Sequence, residues 1–399
     1  MIAVKIREVL REEFHRLIQG KYPVLLIIFI LPLMFTVLFG MVYHENVVKN
    51  IPLVIYDQDQ SNLSRSLIQT YTDSERFRVT AYVNTQEELD SQLAKGEALV
   101  GLGIPRDFSK DVKRGNTANI LLIVDSANNM FGNAALSAAQ EINRTFSVAV
   151  GQKLIEGIGV LPDASMAMVY PVRFGIRILY NPTNGYTPFM LSGLMLNGLQ
   201  IGLMLVLGPL ITEEFKRKRY GRSYASWVII FGKVFPCWLA SLVAYALSLV
   251  LMVLVFDVPC QGSVADMFII GGAFSFSVLG ALSMLAVFSP NVVMSLQVPL
   301  VYIMPGLLFS GLSWPSFAMN DTAWVLSHIL PMTYGADALR DILLAGHAPT
   351  LWQDAGGMFV LGSVFYVIAV LVMHIRRTYD LKVMLIGWLN SHRKKKGVC

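Results

Sequence analysis

Long apolar runs alternate with short charged segments along this chain, and the longest polar interval separates the first two runs. Six runs predict membrane-spanning helices: Tyr22–Tyr43, Pro188–Thr212, Trp227–Phe256, Met267–Phe288, Val292–Phe309, and a last one with its core at Phe359–Ile375 that starts nearer Trp352. The second run, PFMLSGLMLNGLQIGLMLVLGPLIT, carries no charge. At ~1.5 Å of rise per residue its roughly 25 residues exceed a ~30 Å hydrocarbon core. Residues 311–346 are apolar too, but Pro315 and Pro331 break them and Asp337, Arg340 and Asp341 lie among them. Such a stretch predicts a bent or re-entrant segment buried against protein.

The interval 44–186 has a different period. Ile51–Tyr56, Phe77–Val83, Ala98–Ile104 and Asn119–Asp125 predict strands. Ser61–Tyr71, Thr85–Lys95 and Phe108–Arg114 predict helices between them, each opened by a Ser, Thr or Asp. Asn128 to about Ile158 predicts a longer helix, and Val172–Tyr180 an extended return to the membrane. The pattern is an α/β domain inserted between the first two spans. Residues 2–19 predict an amphipathic helix, with Ile6, Leu10, Phe14, Leu17 and Ile18 on one face and Arg7, Glu8, Arg11, Glu12 and His15 on the other. A basic helix of this kind before a span is expected to lie flat in the membrane interface.

Composition agrees with the pattern. Of 399 residues, 54% are hydrophobic and 15% charged, with mean hydropathy +0.55. These values exclude an ordinary soluble domain. The net charge of +5 does not call for nucleic acid, because the basic residues gather beside spans, where they set orientation. Lys5, Arg7, Arg11, Arg16 and Lys21 precede the first span. Lys216, Arg217, Lys218, Arg219 and Arg222 follow the second. Arg376, Arg377, Lys382 and Arg393-Lys394-Lys395-Lys396 follow the last. The positive-inside rule then puts both termini in the cytoplasm. The expected fold class is an α-helical polytopic membrane protein, a six-helix transmembrane bundle with an inserted α/β extracytoplasmic domain. Its parts are a cytoplasmic amphipathic interface helix at 1–21, the first span at 22–43, the outer domain at 44–186, spans two to six at 187–378, and a basic cytoplasmic tail at 379–399. The first 20 residues do not form the apolar run of a cleavable signal peptide. Three cysteines, Cys237, Cys260 and Cys399, imply no disulfide framework.

Candidate chemistry narrows the function. No G-x-x-x-x-G-K-[ST] occurs, and Gly232-Lys233 lacks both the upstream glycine and the following hydroxyl. Tyr56-Asp57-Gln58-Asp59-Gln60-Ser61 opens like a calcium loop, yet Asn62 and Ile68 stand where Gly and Glu are needed. Six scattered histidines make no metal motif. Strand exit and helix cap is the better account of the Asp57–Ser61 stretch, and no catalytic or metal residue is expected. Within the second span, Asn197 and Gln200 share a face, at i and i+3. They either tie helices together or line a path. Gly198-x-x-x-Gly202 and Gly306-x-x-x-Ser310 permit close helix approach, within the chain or across a dimer. Lys233 lies near the end of the third span, where it can snorkel to the headgroups.

Several short motifs recur in one order: Tyr56-Asp57-x-Asp59-x-Ser61-x-x-Ser64-Arg65, Ile104-Pro105-x-x-Phe108-Ser109, Leu179-Tyr180-Asn181-Pro182, the Glu213-Glu214 turn, Phe309-Ser310-Gly311-x-x-x-Pro315, and Leu330-Pro331-Met332-x-Tyr334-x-x-x-x-Leu339-Arg340. In that order the chain resembles, over its full length, the permease subunit of bacterial type-2 ABC exporters that carry a large domain after the first span. The resemblance implies a half-transporter of the bacterial inner membrane. It would pair with a second permease copy or a paralogue and dock an ABC ATPase subunit that supplies ATP and Mg. A periplasmic adaptor and membrane lipids are further candidate partners; nucleic acid is not. Residues implied to couple to the ATPase are Glu213, Glu214 and Arg217 in the turn, with Arg11 and Glu12 in the interface helix. The family turn usually reads acidic-Arg-Gly-Thr then an acidic residue, and Lys-Arg-Tyr-Gly-Arg-Ser follows Arg217 here. Asn197, Gln200, Gln297 and Ser310 are the candidate substrate path. Pro331, Tyr334, Asp337 and Arg340 mark the outer re-entrant segment. Gly198, Gly202 and Gly306 are candidates for dimer packing. Export of amphiphilic, drug-like or lipid-like substrates fits an apolar path. An ion-coupled secondary transporter, or an envelope protein that binds a partner through its outer domain, are the alternatives.

Overall fold

In the computed structural model, residues 2–19, 25–170, 176–217, 220 and 224–378 are described, without the side chains of residues 2, 3, 19, 216 and 217. The expected basic tail at 379–399 lies outside them. The described residues fall into two units, one from both ends of the chain and one at 45–178.

The first helix, α1, is Ile2–Gln19. Its buried row is Val9, Glu13 and Leu17, with Leu10 and Phe14 only partly covered and Ile18 exposed. Of the expected apolar face, Leu17 thus lies in the buried row and Ile6 packs against the core. Steps of four residues place positions 9, 13 and 17 in line, and that row meets the third span. Helix α2, Leu25–Val42, follows.

In the unit 45–178, helices succeed strands as the alternating pattern requires: β1 Ile51–Asp57, α3 Asn62–Thr72, β2 Phe77–Val83, α4 Gln86–Ala94, β3 Val100–Ile104, α5 Phe108–Lys113, β4 Leu121–Val124, α6 Asn129–Glu156 and α7 Pro162–Val169. The sheet order is β2-β1-β3-β4, with β1 parallel to β2 and β3, and β4 antiparallel to β3. Ile51, Leu53, Ile55, Tyr71, Phe77, Val100, Leu102 and Ala139 fill its main core. Polar caps start the helices. Asp57 accepts from the backbone N–H of Asp59 and Gln60 and from the Ser64 hydroxyl (3.1, 3.1 and 2.7 Å). Ser61 and Ser64 form a capping box. Asp59 accepts from the backbone and hydroxyl of Ser109 at the start of α5. The Asp57–Ser61 motif is thus occupied in closing turns. Helix α7 is an element the sequence pattern did not suggest.

The remaining helices are α8 Tyr186–Arg217, α9 Ser226–Val255, α10 Val264–Phe288, α11 Met294–Leu308, α12 Asp321–Ser327, α13 Pro331–Ala345 and α14 Leu351–Thr378, with a 3-10 turn at Ser316–Ala318. Among the described residues, α2, α8, α9, α10 and α14 are long and apolar enough to cross a membrane. The run Val292–Phe309 gives only the 15-residue α11, with Pro299 and Pro305 inside it. Helix α8 is the axis of the unit. Its span is 78% buried against 22% for α2, because α2, α9, α10, α11 and α13 all pack on it. Close approach rests on glycine. A Cβ at Gly202 would lie 3.2 Å from the Ile27 carbonyl of α2, and one at Gly280 in α10 only 2.7 Å from the Gly362 carbonyl of α14.

Candidate functional site

Gly232 and Lys233 are adjacent on α9, and together they seat α1. A Cβ at Gly232 would lie 2.3 Å from Val9, so the glycine lets α1 press onto α9. One turn along α1, Glu13 then reaches Lys233: Nζ to Oε1 is 2.7 Å. Glu214 Oε2, at the end of α8, is 3.4 Å from the same ammonium. Lys233, Glu13 and Glu214 are 0%, 1% and 5% exposed. Lys233 thus does not snorkel to headgroups. A charge removed from water needs ionic and hydrogen-bond partners, and here it has both.

Tyr220 closes the cluster. Its hydroxyl donates to Glu13 Oε1 (3.0 Å), its backbone N–H donates to Glu214 Oε1 (3.0 Å), and its ring lies 5.6 Å from Lys233 Nζ. Around this core runs a more exposed ring of contacts. Arg16 pairs with Glu213 at 2.5 Å. Tyr224 donates to Glu8 at 2.7 Å, and that carboxylate, more than burial, raises the phenol's pKa above its ordinary value. Arg377, at the end of α14, donates to the carbonyls of Tyr224 (2.8 Å) and Tyr220 (3.1 Å). Arg376 lies over the Phe215 ring at 4.0 Å and donates to the carbonyls of Val287 and Ser289 at the end of α10. One end of each of α8, α9, α10 and α14 is therefore bound, with α1, into a single polar knot.

The residues expected at this place divide. Glu213 and Glu214 belong to the knot, Glu214 as a buried member rather than an outward contact. Arg11 is exposed and Glu12 half-buried. Arg217 ends α8, and its side chain lies outside the described residues. Glu13, Arg16, Lys233, Tyr220, Arg376 and Arg377 were not singled out as a site. Two signals pointed to them. A lysine inside an apolar run needs a counter-charge, and Glu13 interrupts the otherwise apolar row Val9–Leu17.

Of the candidate path residues, Asn197 and Gln200 meet each other, and Gln200 Nε2 lies 4.0 Å from where a Cβ would stand at Gly306 on α11. Gln200 is buried and donates to Asn197 Oδ1 at 2.8 Å, along one helix. Gln297 is exposed on α11, and Ser310 is buried, its hydroxyl donating to the Leu307 carbonyl at 2.7 Å. The glycines assigned to dimer packing are used inside the chain. Gly198 faces Phe35 and Leu31 of α2, Gly202 faces Ile27 and Ile28, and Gly306 faces Met332 of α13. At the other end of the bundle Pro331 starts α13, and the Tyr334 hydroxyl donates to the His328 carbonyl at 3.1 Å. Asp337 pairs with Arg340, whose guanidinium lies 5.0 Å from the Phe189 ring of α8. Asp337 also closes on Gly311, where φ is +78° and a Cβ would come within 3.2 Å of the carboxylate.

Residues 23–371 match the model of the family described as ABC-2 family transporter protein. The chain belongs to the ABC-2 transporter family. It is 24% identical over 368 residues to the "Probable multidrug ABC transporter permease YbhR" of Escherichia coli, covering 90% of this chain and 96% of that one. It is also 24% identical to the "Inner membrane transport permease YhhJ" of E. coli, over 80% of this chain and 84% of that one. A third relative, the E. coli "Probable multidrug ABC transporter permease YbhS", is 22% identical over 92% of both chains. This ABC-2 protein is accordingly a membrane permease of an ABC transporter, and its family implies an ABC ATPase subunit as partner.

Proposed function

We propose that this permease is the membrane half of an ATP-driven exporter, and that the Glu13–Lys233–Glu214 knot transmits the partner's motion to the helices. ATP and Mg would be bound by the separate ATPase chain. Two permeases, identical or paralogous, would complete the pore. In this proposal the membrane is the bacterial inner membrane, both termini are cytoplasmic, residues 44–186 are extracytoplasmic, and α11 is a short fifth of six spans. The basic clusters beside the spans support that orientation. Amphiphilic, drug-like or lipid-like substrates are favoured by the apolar helices and by the multidrug names of two relatives.

The observation that carries the proposal is the knot itself. A partner pushing on α1 can move a span only through contacts that hold under load. Buried, charge-assisted hydrogen bonds do so better than exposed pairs. Arg16–Glu213 is the accessible edge of that link and Lys233 its core. Arg16→Gln with Glu213→Gln cuts the edge without stranding a buried charge. The double variant is expected to insert, to retain the ATPase through purification, and to lose substrate-stimulated ATP hydrolysis. Full stimulation in the correctly inserted variant would refute the coupling role.

A further inference from the structure

A second feature of α1 lies off the knot. A groove of about 200 Å³ runs between the end of α1, the start of α2 and the middle of α9, lined by Phe14, Ile18, Leu25, Phe29, Leu239 and Val243. Its walls are apolar. On α1, Arg7 and Arg11 stand at the edge of the polar face that adjoins Phe14 and Ile18, since positions 7, 11, 14 and 18 fall within about 60° of arc. The helix rises ~1.5 Å per residue, which puts Arg11 about 4–5 Å and Arg7 about 10 Å along the axis from Phe14. Both arginines are exposed, and neither makes an ion pair or hydrogen bond with a described residue. Glu8 is on the helix's other flank and is committed to Tyr224.

We propose that this groove and the two arginines form a binding site for an anionic phospholipid, one acyl chain lying along Phe14, Leu239 and Val243 and the phosphate meeting Arg11 and Arg7. Any lipid tail can fill an apolar groove that opens on hydrocarbon. The selecting element is the head, because two exposed guanidiniums in line with the groove favour a phosphate with net negative charge over a zwitterion. The bound lipid would fasten the side of α1 that the Glu13–Lys233 pair does not reach. This site does not depend on the transport cycle proposed above.

The test uses the full chain in vesicles of mixed phosphatidylcholine and phosphatidylglycerol, extracted into mild detergent, with retained lipids identified by intact-complex mass spectrometry. Preferential retention of phosphatidylglycerol is expected. Each basic side chain near an anionic membrane surface is worth about five-fold, so Arg7→Gln with Arg11→Gln should lower retention about twenty-five-fold. Arg7→Lys with Arg11→Lys should keep most of it. Leu239→Trp, which plugs the groove and leaves the arginines, should also reduce it strongly. Equal retention of the two lipids overturns the proposal. So does a glutamine effect without a Leu239→Trp effect, which would reduce the site to diffuse surface attraction.

Discussion

The two units handle polar side chains in opposite ways. In 45–178 they act locally: Asp57 bonds residues two, three and seven positions on, Thr85 caps α4, and Asn128 caps α6. In the helical unit the charged residues of the knot act across the chain. Glu13 meets Lys233 across 220 positions, Arg16 meets Glu213 across 197, and Arg377 meets Tyr220 across 157. Water explains the contrast. A cap at the edge of a sheet keeps solvent as an alternative partner, so losing it costs one modest hydrogen bond. A charge packed between apolar helices has no alternative, so its partner must be brought to it.

Breaking the long-range side should therefore have the largest effect. Lys233→Met leaves Glu13 and Glu214 buried without their cation and should destabilise the helical unit by about 3–5 kcal/mol, read as a drop in melting temperature in detergent. Adding Glu13→Gln and Glu214→Gln should restore much of that loss by removing the stranded charge. If Lys233→Met melted like the unmodified chain, the knot would not be a buried charge cluster. The local side also has long-range contacts, Asp59–Ser109 among them, and one of them sharpens the comparison. Tyr71 is fully buried in the 45–178 core, its hydroxyl donates to Asn143 at 3.0 Å, and burial pushes its pKa up from about 10 to about 12. A raised pKa means that the folded state favours the neutral phenol, so its contribution holds only while the phenol stays protonated. Stability is thus complete below pH ~10 and falls, by about 2 kcal/mol, as pH rises to ~12. Pulse proteolysis of this unit should show that decline, and Tyr71→Phe should flatten it. An equally steep decline in the variant would contradict the assignment. The smallest effect belongs to Lys49–Glu75, 3.0 Å apart on an exposed surface. Lys49→Ala should leave the melting temperature of this unit unchanged at physiological salt. A clear drop would mean that exposed pairs matter more here than the comparison allows.

Legibility followed the same division. Strand β2 has the bounds its alternation predicts, Phe77–Val83, and β1, α3, α4, α5 and α6 lie within about two residues of theirs. The motif Asp57-x-Asp59-x-Ser61 was readable as a strand exit and cap because each contact is set by a few adjacent residues. At the knot, Glu213 and Glu214 stood out as charges at a span's mouth. Their roles did not: sequence spacing cannot say that Glu214 turns inward to Lys233 while Glu213 turns to Arg16. The buried row of α1 was not legible for a related reason. Val9 and Glu13 lie off its most apolar stripe and still meet α9, since the partner supplies a glycine at 232 for Val9 and a cation for Glu13.

Hydropathy and helix length are properties of a continuous segment, so the apolar runs, the broken character of 311–346 and the membrane class were already legible in the order of residues. Which glycine faces which helix is not such a property. Gly198 and Gly202 could have met a second copy, and packing against α2 decided the matter. The same holds for Glu13 and Lys233. Each alone is a liability in an apolar setting; only the fold brings them to 2.7 Å and makes the pair stable.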